Sequence, residues 1–140
     1  MKISYYIWGL MMAILLVMPA CNNSNDTPTP GNTTNQNLLK TWKASQVLEG
    51  SLDVTGEFGQ YRLTLAEANG NKTFTLIKRD GTSLTGSWEI SADETTITLT
   101  ANSNTITLSG VSVSASELKY TTDEQGKTGI VNLSFTLVPA

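Results

Sequence analysis

Histidine is absent from this chain, cysteine occurs once, and acidic and basic residues together fill only 15% of its 140 positions. Each scarcity closes a route. Without His there is no imidazole base, no Ser-His or Cys-His nucleophile pair and no His-ligated zinc. A single Cys excludes an intrachain disulfide, a CxxC redox centre and a Cys-rich metal site. With 9 Lys+Arg against 12 Asp+Glu, and a formal charge of −3, the chain also lacks the basic footprint that nucleic acid requires. The expectation is a non-enzymatic protein with no cofactor, no metal and no nucleic-acid partner.

What is present begins with an apolar leader. Residues 3–18 form an uncharged, mostly apolar run behind Lys2, and Ala20 then precedes the lone cysteine, Cys21. A short basic start, an apolar core and a small residue before the cut are the marks of a signal peptide. Val17-Met18-Pro19-Ala20-Cys21 resembles a bacterial lipobox, in which the chain is cut before an acylated cysteine, although Pro19 is unusual there. The alternative is an uncleaved membrane anchor, since about 18 apolar residues just span a bilayer. Pro19 and the polar stretch behind it suit a cut and a tether better. The resemblance implies lipidation at Cys21, a membrane partner through that anchor, and a cell-envelope address, with Asn22 favouring the outer membrane and either leaflet open. Two or three acyl chains, at about 0.8 kcal/mol per buried methylene, hold firmly where one does not.

Residues 22–37 carry no large apolar side chain and are rich in Asn, Thr and Pro. Such a segment buries too little surface to offset its ordering entropy, so a flexible linker is expected over 21–37. From Leu38 to Ala140 apolar residues alternate with Thr and Ser, and turn residues recur about every ten positions, which predicts an all-β domain. Eight strands are expected: 41–49, 60–66, 72–78, 83–91, 95–101, 104–109, 117–121 and 129–138. On the first, Trp42, Ala44, Gln46 and Leu48 share a face. Residues 53–59 are expected to hold a short turn, and 110–116 to be an ambiguous extension of the sixth strand.

Asn69-Gly70 and Asp80-Gly81 are strong hairpin formers, and Ala101-Asn102-Ser103-Asn104 supplies a third tight connection. Eight hairpin-linked strands with one apolar face each close either as an up-and-down barrel or as a two-sheet sandwich. Short connections favour the antiparallel up-and-down barrel, because strands joined by tight hairpins must be neighbours. An eight-stranded barrel has room for side chains or for one small ligand.

Leu38-Leu39-Lys40-Thr41-Trp42-Lys43, Tyr61-Arg62-Leu63-Thr64-Leu65, Gly86-Ser87-Trp88-Glu89-Ile90 and Thr96-Ile97-Thr98-Leu99-Thr100 resemble the lipocalin-like domains of small Bacteroidetes lipoproteins. The similarity covers nearly all of residues 38–140. One departure stands out, in that Lys40 occupies the position of a Gly in the family's opening motif. The resemblance implies a lipocalin-like barrel with an open mouth and a small apolar or amphipathic ligand, and it speaks to fold more than to activity.

The candidate ligand-binding residues are Trp42, Gln46, Tyr61, Trp88, Tyr120 and Phe135. The aromatic members would line a cavity or, alternatively, plug the barrel; Gln46 is the polar member of its apolar face. Asp93 with Glu94 and Asp123 with Glu124 sit in expected turns as solvated charge, without calcium-loop spacing. Arg62, Lys78, Arg79 and Glu89 are expected to point outward, where charge discourages edge pairing. A filled barrel would instead suit a protein-interaction module, as a surface accessory or protease inhibitor.

Overall fold

The computed structural model describes residues 35–126 and 128–140. Cys21, the leader over 1–20 and most of the expected linker lie outside them.

Alternation along the chain becomes nine strands and a single 3-10 turn: β1 (Thr41–Glu49), β2 (Leu52–Asp53), a 3-10 helix (Thr55–Phe58), β3 (Arg62–Ala68), β4 (Asn71–Ile77), β5 (Ser83–Ile90), β6 (Thr96–Ala101), β7 (Asn104–Val113), β8 (Leu118–Gln125) and β9 (Ile130–Pro139). Every neighbour in the sheet is antiparallel, and β9 returns to pair with β1 from Trp42↔Pro139 to Glu49↔Leu133. That pairing closes eight strands into an up-and-down barrel. The two-residue β2 is the extra strand, held on the end of β1 by Leu48↔Asp53 and Glu49↔Leu52. The barrel closure, rather than the sandwich, follows from the tight turns. Asn69 and Gly70 both take positive φ (52° and 78°), the geometry of a two-residue hairpin whose twist matches its strands.

The inner face is apolar and close-packed. Trp42, Val47, Leu63, Leu65, Phe74, Leu76, Trp88, Ile97, Leu99, Leu108, Leu118, Tyr120, Leu133, Phe135 and Leu137 are buried. Thr and Ser face out between them, as the period of two requires.

Two bulges break that period. The β1–β9 register shifts between Ala44 and Gln46, so Val47 turns inward and Gln46 is exposed. This corrects the expectation that Gln46 shares the face of Trp42 and Ala44: one extra residue in a strand reverses every side chain beyond it. The β7–β8 register shifts between Ser109 and Ser112, with Gly110 at φ 62°. Beyond it Val111 and Val113, rather than Gly110 and Ser112, pack against the core, and residues 110–113 do extend the strand.

The two ends of the barrel differ. At the end carrying the start of β1 and the β3–β4, β5–β6 and β7–β8 turns, one helical turn over 35–38 places Leu38 in the core. Leu38, the first residue of the expected β-domain, is the first buried side chain among the described residues. Trp42 donates its indole N–H to the Leu38 carbonyl at 3.1 Å. Lys40 sets its ammonium 5.0 Å over the Trp42 ring and donates to the Ala115 carbonyl at 2.9 Å. Lys40 thus ties the β7–β8 turn across the closed end. Trp88 is held similarly, its indole N–H on the Ala66 carbonyl at 3.1 Å and Lys72 at 4.8 Å over its ring.

Candidate functional site

The opposite end, where the β4–β5 turn meets the end of β8, holds a pocket of about 230 Å³. Its walls come from three strands and the residue before a fourth. Tyr61 precedes β3, Leu76 is on β4, Ile106 and Leu108 are on β7, and Thr122 is on β8; Lys78, Arg79, Asp80, Asp123, Glu124 and Gln125 make the rim. Period-two alternation aims Leu76, Ile106 and Leu108 into the barrel, while the turn residues cannot follow that pattern and curl over its mouth. The volume lies below the roughly 300–1,000 Å³ of sites that engulf drug-sized ligands. The hollow is therefore small, and a cluster of buried side chains packs the core of the barrel.

Behind the pocket lies an aromatic cluster. Phe135 touches three rings: Phe58 edge-on at 5.2 Å, Tyr61 at 4.8 Å and Tyr120 stacked at 5.2 Å. Such contacts are worth about 0.5–1.5 kcal/mol each beyond the area they bury. Phe58 arrives from the 3-10 helix, which fills the gap where β3 pairs with only the first residues of β1, Thr41↔Thr64 to Lys43↔Arg62.

Tyr61 and Tyr120 place their hydroxyls 2.6 Å apart, both side chains buried. Burial raises both phenol pKa values well above 10.0, and the nearby Glu124 charge adds to the rise. Tyr61 and Tyr120 are the only tyrosines beyond residue 6, so tyrosinate absorbance in the domain reports this pair alone. Between the unfolded pKa near 10 and the higher folded values, the folded state keeps protons that the unfolded state has lost. Stability is therefore expected to hold up to about pH 10 and to fall as pH rises beyond it. In an alkaline titration the tyrosinate signal should appear together with loss of β-sheet circular dichroism, not before it. Tyr61→Phe leaves the Tyr120 hydroxyl buried without its partner and should cost about 1–3 kcal/mol in urea unfolding. Tyr61→Phe with Tyr120→Phe should recover part of that loss, because neither polar group then remains.

Glu124 corrects the expectation of solvated turn charge. The β8–β9 ladder continues through Asp123↔Asn132, Glu124↔Val131 and Gln125↔Ile130, so these carboxylates are on a strand. Leu118, Tyr120, Thr122 and Glu124 occupy alternate positions, and Glu124 lines the pocket. Burial raises its pKa against the pull of Arg79 and Lys78, with Asp80 contributing to the rise. Asp123 instead accepts from Asn132 Nδ2 at 2.8 Å on the outer face. Arg79, expected to point outward, lies over the Phe58 ring at 5.7 Å and pairs with Glu57 at 3.3 Å and Glu124 at 3.8 Å. It thereby spans the 3-10 helix, the β4–β5 turn and β8.

Of the six candidate ligand residues, Tyr61 lines the pocket and Tyr120 and Phe135 stand directly behind it. Trp42 and Trp88 belong to the other end, and Gln46 is outside the barrel. Leu76, Ile106 and Leu108 were legible as inward-facing, but only closure shows that they meet. Lys78, Arg79 and Glu124 had no sequence signal beyond their charge.

A closed eight-stranded antiparallel up-and-down barrel is an architecture that lipocalins, among other all-β proteins, share. No protein-family model matches the chain, and no curated protein matches it. Among solved structures, the zebrafish ileal bile acid-binding protein, crystallised with cholic acid, is similar at a TM-score of 0.41 and 13% identity, over 74% of this chain and 99% of that one.

Proposed function

We propose that the chain is a lipid-anchored, non-enzymatic envelope protein whose barrel binds one small amphipathic molecule at its mouth. The observation that carries the binding reading is the pocket itself: apolar walls from Leu76, Ile106 and Leu108 beneath a polar rim, joined by the Tyr61 phenol. That combination removes an apolar group from water while leaving a polar head at the surface, at roughly 25 cal/mol for each Å² of apolar area covered. The anchor rests on the residues before and at Cys21, and with it the outer-membrane address.

Native mass spectrometry of the chain gently extracted from membranes tests both halves. Acyl mass on a chain beginning at Cys21, together with a non-covalent small-molecule adduct, is the expected result. An unacylated chain that keeps residues 1–20 would remove the anchor. Repeated bare spectra, with no thermal shift across a panel of small amphiphiles, would remove the ligand.

The filled interior supports a second reading, a protein-interaction module. Leu52 and Ile130 are 62% and 73% exposed at the mouth end of β2 and β9, where a partner chain would meet them. Pull-downs from envelope extract with and without residues 22–37 separate the readings, since a partner-binding module enriches one species at fixed stoichiometry.

A further inference from the structure

We infer that the mouth pocket selects a protonated amine: a small amphipathic cation whose ammonium group lies against Glu124 while its chain packs on Leu76, Ile106 and Leu108. This rests on the ligand-binding reading above and names the charge class of that ligand.

The first support is the balance of charge. Two adjoining hollows open at this end, one bounded by Lys78, Arg79, Asp80, Asp123 and Glu124, the other by Glu49, Glu57, Arg79 and Asp80. Among the described residues that line them, and with Asp123 set aside because its carboxylate turns to Asn132 on the outer face, four carboxylates therefore face two cations. Arg79 is already engaged by Glu57 and Glu124. Lys78 alone would favour an anion, yet Asp80 and Glu124 stand beside it. An entering carboxylate would meet like charge at close range, which low-dielectric walls make costly.

The second support is Glu124 itself. It is half-buried on the wall of the pocket, and its contact with Arg79 is long, at 3.8 Å. Arg79 and Lys78 both attract it, yet neither makes a hydrogen bond to it among the described residues, and a half-buried carboxylate so placed is under-compensated. Burial accordingly holds its proton affinity above the ordinary range. An ammonium group in the pocket would supply a short, charge-assisted hydrogen bond of the kind Arg79 does not make there.

The third is independent of charge. Two phenols hold two hydroxyl hydrogens, and the bond between Tyr61 and Tyr120 uses one. Neither makes a second hydrogen bond among the described residues. Either phenol can be the donor; with Tyr120 donating to Tyr61, the second hydrogen is that of Tyr61, the phenol that lines the pocket. A ligand oxygen a few bonds from the amine would accept it.

Four probes of one chain length test the inference on the purified full chain: hexylamine, 6-amino-1-hexanol, hexanol and hexanoate, followed by the methyl resonances of Leu76, Ile106 and Leu108. Hexylamine should bind about tenfold more tightly than hexanol, with hexanoate weakest and the amino alcohol at least equal to hexylamine. Glu124→Gln should lower hexylamine affinity about tenfold and erase its advantage over hexanol, while Glu67→Gln, exposed near the β3–β4 turn, leaves it unchanged. Hexanoate binding as tightly as hexylamine, or Glu124→Gln without effect on the amine, overturns the charge assignment while leaving a ligand pocket in place. Silence from all four probes overturns both the assignment and the ligand reading beneath it.

Discussion

Gly86→Ala is expected to destabilise the barrel by at least about 3 kcal/mol, read as a lowered urea midpoint at unchanged slope or as failure to fold. The obstacle is space. A Cβ built on Gly86 lies 1.9 Å from the Thr100 carbonyl oxygen of β6 and 2.9 Å from the Phe74 ring of β4. The first neighbour is backbone and cannot step aside without opening the sheet next to the Ser87↔Thr100 pair. The second is an aromatic ring packed over the bare Cα, directly across the Phe74↔Gly86 pair. Overpacking within a flexible core typically costs about 1–3 kcal/mol, and a collision with a neighbouring strand exceeds what side-chain adjustment can absorb. Gly56→Ala is the control. Its added methyl meets nothing within 4 Å, so a change of less than about 0.5 kcal/mol is expected. Equal effects at the two sites would show that β5 does not approach β6 so closely.

Trp42→Ala carries the second large effect, about 3–5 kcal/mol, because a fully buried indole leaves a hole that its neighbours cannot collapse into. Several contacts go with it. The Leu38 carbonyl loses one of its two donors, keeping the Lys40 backbone N–H, Lys40 loses the ring beneath its ammonium, and the turn over 35–38 loses the indole that bonds it to the barrel. Trp42→Phe keeps much of the apolar body and deletes the indole N–H, so an intermediate loss is expected in the same urea titration. The pair of variants also separates two roles for this residue. Trp42 stands at the end of the barrel opposite the pocket, so Trp42→Phe should keep the ligand affinity of the unmodified protein. A loss of binding without a comparable loss of stability would return Trp42 to the ligand site and move the site away from Tyr61.

Both predictions concern positions visible in the sequence as Gly-x-Trp and Thr-Trp motifs, yet neither role could be read there. Trp42 was open to two readings, closing an end, which was favoured, or lining a cavity, because alternation says only that it points inward. The distinction came from Leu38, four residues earlier, and from Ala115, seventy-five positions from Lys40. Gln46 shows the same limit more sharply. Its place in a period of two pointed inward, and a single bulge beside Ala44 put it in solvent. Glu124 failed in the other direction. The run Asp-Glu-Gln-Gly-Lys over 123–127 reads as a turn, and only the ladder with β9 carries β8 far enough to bring the Glu124 carboxylate to the pocket.

By itself the sequence determined an all-β domain of hairpin-linked strands, their approximate bounds, and an interior built from Leu, Ile, Phe, Tyr and Trp. It also closed off imidazole and disulfide chemistry. These are local matters: side chains alternate because the backbone is pleated, and turns form because Asn and Gly tolerate positive φ. Tertiary structure decided that β9 returns to β1, that two bulges reverse their strands, that one end is plugged by Trp42 beneath Lys40, and that the other keeps a small hollow beside Tyr61 and Glu124. Those outcomes depend on residues distant in the chain filling one shared volume, and no period or motif records how full that volume is.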